Sequence, residues 1–193
     1  MTNINILYLH GFNSSPQSLK AQQTQQYFAK HYPKITVITP QLLTSPNWAK
    51  AQLDEIITSD EKAQWLVMGS SLGGYFATYL AEKYSLSAVL INPAVKPYQL
   101  LNDYLGEQIN PYTQEVYQFT ENFISDLKAL EQNQLDDKNN YLVMVQTADE
   151  VLNYQQALEK YKNKELLIQQ GGDHSFIDYD KMLPKIADFF KLV

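Results

Sequence analysis

The chain has 193 residues, of which 45% are hydrophobic and 19% charged, a composition that suits one packed domain and excludes a disordered chain. Its net charge of −6 argues against binding to nucleic acid or an anionic membrane surface, and no stretch approaches the ~18 apolar residues that span a bilayer. The 15 cationic side chains are all lysine and there is no cysteine, which excludes guanidinium clamps, disulfides, thiolate metal sites and a cysteine nucleophile, and points to neutral substrates.

The first apolar run is Ile4–Leu9. The stretch from Met1 to Leu9 carries no basic run and is too short for a signal peptide, so a cytoplasmic protein is expected. Ser15-Pro16 offers an N-cap followed by proline at the first helical position, and His31 falls near the end of the helix so predicted. A second strand is predicted over Ile35–Thr39, and Ser45-Pro46 signals a second helix start. Strands are predicted over Trp65–Gly69 and Ala88–Asn92, separated by a helical stretch. From Lys96 to Asn140 no strand signal is present. Within that interval Val116, Phe119, Phe123, Leu127 and Leu130 form a stripe at helical spacing. Strands follow at Tyr141–Thr147 and Glu165–Gln169, and Met182, Leu183, Ile186, Phe189 and Phe190 close the chain as an amphipathic helix.

Most of these strands are continuously apolar, as expected when helices cover both faces of a parallel sheet. Strand–helix alternation predicts an α/β fold with a six-stranded, mostly parallel, doubly wound sheet. Residues 1–193 are expected to form a single domain, with 96–140 a small helical, cap-like excursion between the fourth and fifth strands.

Gly69-Ser70-Ser71-Leu72-Gly73 follows a predicted strand and precedes a predicted helix, the context of a nucleophile elbow. A serine on so tight a turn takes a strained backbone conformation, and the residues two before and two after it must be small. Gly69 and Gly73 meet that need for Ser71; Met68 and Leu72 fail it for Ser70. A serine hydroxyl needs a base. Of the three histidines, His10 precedes the elbow and is read as shaping a turn, and His31 as a helix-end cation. His174, in a loop after the last strand, fits the order serine, acid, histidine.

The acid must follow a strand end between these two, and Asp149 does, with Glu150 as its rival. Asp126, Asp136 and Asp137 lack a preceding strand, and Asp173 adjoins the histidine too closely to bend back onto its ring. The amides of Leu72 and Phe12 are the expected oxyanion donors, one at a helix start and one on the turn after the first strand. A binding protein on this scaffold would gain nothing from a strained elbow with both partners.

The chain resembles the YqiA-type esterases of the α/β-hydrolase superfamily. The resemblance lies in Tyr8-Leu9-His10-Gly11-Phe12-Asn13-Ser14-Ser15-Pro16, Gly69 to Tyr75, Asn92-Pro93-Ala94-Val95 and Asn110-Pro111-Tyr112-Thr113. It continues in Asp149-Glu150-Val151-Leu152 and Gly171 to Phe176. It implies a carboxylic ester hydrolase with Ser71, Asp149 and His174 at the triad positions, and a reduced sheet lacking two leading antiparallel strands. The expected reaction is acyl transfer from a small ester, or a thioester, through an acyl-enzyme, with no metal or organic cofactor required. Tyr98, Tyr104, Tyr112 and Tyr117 are candidates either to line an acyl pocket or to pack the excursion onto the sheet.

Overall fold

Six apolar runs become the strands of one parallel sheet in the computed structural model, which describes residues 3–192; Met1, Thr2 and Val193, at the ends of the expected domain, lie outside the described residues. Strand β1 (Ile4–Leu9) leads through helix α1 (Leu19–His31) to β2 (Ile35–Ile38), and α2 (Pro46–Thr58) leads to β3 (Gln64–Ser70). Helix α3 (Leu72–Tyr84) then leads to β4 (Ser87–Ile91). All six predicted strands agree with the observed strands within a residue at each end. The reason is that most of the runs are continuous in apolar character and bounded by polar or turn-forming residues.

After β4 come a single helical turn α4 (Pro97–Leu100), a 3₁₀ turn (Leu101–Tyr104) and an antiparallel hairpin of β5 (Gly106–Ile109) and β6 (Val116–Phe119). Helix α5 (Glu121–Ala129) completes this segment. Strand β7 (Tyr141–Gln146), α6 (Tyr154–Lys160), β8 (Glu165–Gln169), a 3₁₀ turn (Tyr179–Met182) and α7 (Leu183–Phe189) end the chain.

The strand order is β2-β1-β3-β4-β7-β8, and every pairing within it is parallel, so the sheet goes beyond the mostly parallel expectation. The winding direction reverses between β1 and β3, and in such sheets the crevice beyond the carboxyl ends of those two strands is where ligands bind. Alternate residues of each strand feed two cores. Leu7, Leu9, Val67, Leu90 and Val143 pack with α2, α3 and α5 on one face. Ile6, Tyr8, Met68, Ile91 and Met144 pack with α1 and α7 on the other. Each buried aliphatic side chain there contributes roughly 1.5–3 kcal/mol.

Two local expectations are corrected. The interval 96–140 contains strands as well as helices: Val116 and Phe119 lie in β6, and the helical stripe begins only at Phe123. The cause is an Asx turn, in which the Asn110 carboxamide oxygen accepts the amides of Tyr112 and Thr113 and Gln114 adopts φ +60°. This closes a hairpin whose last inward residue, Phe119, falls by chance in helical phase with Phe123, Leu127 and Leu130. The second concerns Ser15-Pro16, which does not open a helix. The Ser15 hydroxyl accepts the Gln17 amide and its carbonyl accepts Ser18, making a turn, and α1 starts after Ser18. Ser45-Pro46 opens α2 as predicted.

Candidate active site

Ser71 is the hinge between β3 and α3, held at φ +55° and ψ −122°, a region that non-glycine residues occupy only under strain. The turn is enforced on both sides. Its amide donates to Ile91 and its carbonyl accepts Gly74 and Ala94. A side chain at Gly69 would run into the Gly73 carbonyl, and one at Gly73 into the Leu9 carbonyl at the end of β1. The small residues expected around the elbow are therefore set by backbone-to-backbone contact, which packs α3 against two strand ends.

The loop after β8 brings His174 to this hinge. Its Nε2 lies 3.1 Å from the Ser71 hydroxyl, which donates to it, and its Nδ1 donates to Asp149 at 2.9 and 3.0 Å from the two carboxylate oxygens. The Asp149 side chain is only 2% exposed. Burial works against its ionisation, but the His174 hydrogen bond and the amides of Leu152 and Val151 outweigh burial and hold the carboxyl below its usual range. An ionised Asp149 fixes the Nδ1–H tautomer and leaves Nε2 as an acceptor facing Ser71. Glu150 sits elsewhere: its carboxylate accepts the main-chain amide of His174 at 3.0 Å, not the ring.

Phe12 and Leu72 both line a cavity of about 290 Å³ above Ser71, and among the described residues neither amide has a protein acceptor. His10 is 4% exposed and, among the described residues, makes no hydrogen bond with Ser71 or Asp149. Its Nδ1 donates to the Gly11 carbonyl, and its Nε2 accepts the Leu42 amide at 3.1 Å and the Gln41 side-chain amide at 3.2 Å. Burial, opposed by the Gly11 hydrogen bond, lowers its pKa, so the neutral ring pins the Gly11-Phe12 turn to the loop before α2. His31 lies in the last turn of α1, its ring 4.7 Å from that of Tyr27.

The four tyrosines part company. Tyr104 lines the cavity; Tyr117 donates to Asn13; Tyr98 donates to Glu131; Tyr112 is exposed at the hairpin turn. Two residues were missed by sequence reasoning. Asn92, buried just beyond β4, donates to the carbonyls of Asp173 and His174, and its Oδ1 accepts the Gln146 amide. Gln146, at the end of β7, accepts the amides of Asp173 and Ile177. A carboxamide placed directly after an apolar strand was the available signal, because a polar group buried there needs partners from a loop.

Residues 5–191 match the uncharacterised protein family UPF0227. The chain belongs to this family. That is the YqiA family whose motifs the sequence resembles. Among solved structures, this UPF0227 chain is similar to Est1E from Butyrivibrio proteoclasticus, at 11% identity over 99% of this chain and 88% of that one, with a TM-score of 0.77. It is also similar to alpha/beta hydrolase domain-containing protein 10 from mouse, at 17% identity over 97% and 89% of the two chains and a TM-score of 0.72. A third likeness is to a chain from work on LipS and LipT, two metagenome-derived lipolytic enzymes, at 19% identity, 98% and 94% coverage and a TM-score of 0.71. At these identities the likenesses show the α/β-hydrolase fold. No helix among the described residues is long and apolar enough to cross a membrane.

Proposed function

We propose that this UPF0227 chain is a serine hydrolase of small carboxylic esters, and of thioesters by the same chemistry. One observation carries this: a strained Ser71 hydroxyl 3.1 Å from an imidazole nitrogen whose opposite nitrogen is held by a buried, ionised carboxylate. A surface serine–histidine contact would have no need of that arrangement. The α/β-hydrolase fold and the esterase and lipolytic relatives support it further.

In this mechanism His174 Nε2 takes the Ser71 proton as the hydroxyl oxygen attacks the ester carbonyl carbon. The amides of Phe12 and Leu72 receive the oxyanion, to which α3 adds the positive end of its dipole. His174 then protonates the departing alcohol or thiol. The same nitrogen activates water to release the acid from Ser71, and Asp149 stabilises the imidazolium in both steps without accepting its proton. Ser71→Ala is expected to abolish both ester turnover and labelling by a fluorophosphonate probe. Undiminished labelling of that variant would move the nucleophile elsewhere and overturn the proposal.

A further inference from the structure

The cavity above Ser71 has two unlike walls. On the side of the hairpin segment it is apolar, with Leu100, Leu101 and Tyr104. On the α1 side it is polar, built from Tyr8, Ser18, Lys20, Ser70 and Ser175. Three features of the polar wall want a negative partner. The Tyr8 hydroxyl belongs to a residue only 1% exposed, yet it is buried without a hydrogen-bond partner among the described residues. Burial and the neighbouring Tyr179 raise the pKa of this phenol against the opposing effect of the Ser70 side chain beside it, so it stays protonated and remains a donor. Lys20 Nζ gives one hydrogen bond, to the Ser175 carbonyl at 2.8 Å, and forms no ion pair among the described residues, leaving two of its three donors uncommitted. Finally, the 13-residue helix α1 begins here, and the side chain of its N-cap, Ser18, does not cap it.

We propose that this polar wall binds a carboxylate carried by the ester substrate, so that the enzyme prefers monoanionic esters to neutral ones. The inference rests on the esterase reading and narrows its substrate class. It also revises the expectation of neutral substrates drawn from the lack of arginine, since a lysine reaches the site. Burial depresses the Lys20 pKa, while Asp173 and Asp149 oppose the shift from a distance; a substrate carboxylate would supply the contacting counter-charge that neither provides. One ammonium with neutral donors balances a single negative charge. A phosphate dianion would bring a second charge toward Asp173 with no cation to meet it.

The test compares charged and neutral members of two ester pairs. Mono-4-nitrophenyl glutarate against its methyl ester places the charge on the acyl side; 3-acetoxypropanoate against its methyl ester places it on the alcohol side. The expected result is a preference in kcat/KM of roughly tenfold or more for the charged member in one pair. That ratio should fall to about one in Lys20→Met, survive in part in Lys20→Arg, and drop several-fold in Tyr8→Phe, which decides the matter if Lys20→Met does not fold. No preference in either pair, or a preference unaffected by both Lys20→Met and Tyr8→Phe, would overturn the inference. Fluorophosphonate labelling of the wild-type chain separates the two failures. Labelling without preference removes only the carboxylate site, whereas absent labelling removes the esterase reading itself.

Discussion

The side-chain amide of Asn92 donates to the main-chain carbonyl of His174 at 3.2 Å, across 82 positions of sequence. The same amide also holds the Asp173 carbonyl, and the Asn92 oxygen takes the Gln146 amide, so one buried side chain ties β4 and β7 to the loop that carries the imidazole. Asn92 itself sits at φ +39°, a conformation asparagine tolerates better than most residues.

Replacing this anchor should misplace the imidazole without touching it. Asn92→Ala is expected to lower kcat by about 10- to 100-fold and to cost about 1–3 kcal/mol of stability, because the Gln146 amide loses its acceptor. Ester kinetics beside urea unfolding check it; unchanged kcat in a destabilised variant would make Asn92 structural only.

Asp149 and Glu150 are adjacent, yet they hold different ends of His174, the ring and the main-chain amide. Asp149→Asn is expected to slow turnover by about four orders of magnitude through loss of the correct tautomer. Glu150→Gln keeps an oxygen acceptor for the amide and should cost less than about tenfold. If the two effects were exchanged, the acid of the proposed triad would be Glu150.

The elbow glycines face backbone carbonyls that cannot swing aside. Gly73→Ala should destabilise the fold by about 2–4 kcal/mol, by forcing α3 away from the end of β1. Chemical denaturation measures the loss, and a stable, fully active variant would contradict the packing described.

His10 supplies the pH test. Its folded pKa lies below the ordinary histidine value, so on acidification the unfolded chain takes up the proton first. The stability due to its neutral ring is complete above about pH 6.5 and is lost as pH falls from there through the folded value. His10→Gln should therefore be less stable than the wild type near pH 8, with the gap narrowing toward about pH 5.5. A gap that widened on acidification would mean that the ring is charged in the fold.

Much of this molecule was open to reading from its residues. Continuous apolar runs such as residues 88–91 and 141–145 announced buried parallel strands, since strands covered on both faces carry few polar residues. The elbow was legible because its steric demand is local: Gly69 and Gly73 flank one serine of two. Strand-end placement singled out Asp149 and His174 for the same kind of reason. The hairpin of β5 and β6 escaped because short exposed strands such as Val116–Phe119, with Val116 57% exposed, show little hydrophobic pattern, while Phe119 kept helical phase with the helix beyond.

What periodicity and spacing determine is each segment's own conformation and the face it buries. Which distant groups meet is decided by the sheet, whose reversal between β1 and β3 gathers the loops after β1, β3, β4, β7 and β8 at one edge. Only there do Asn92 and Glu150 find the backbone of residue 174, and Lys20 and Tyr8 a common wall of the cavity. Those pairings depend on through-space distances of a few ångströms between residues dozens of positions apart, which a single chain of letters does not encode locally.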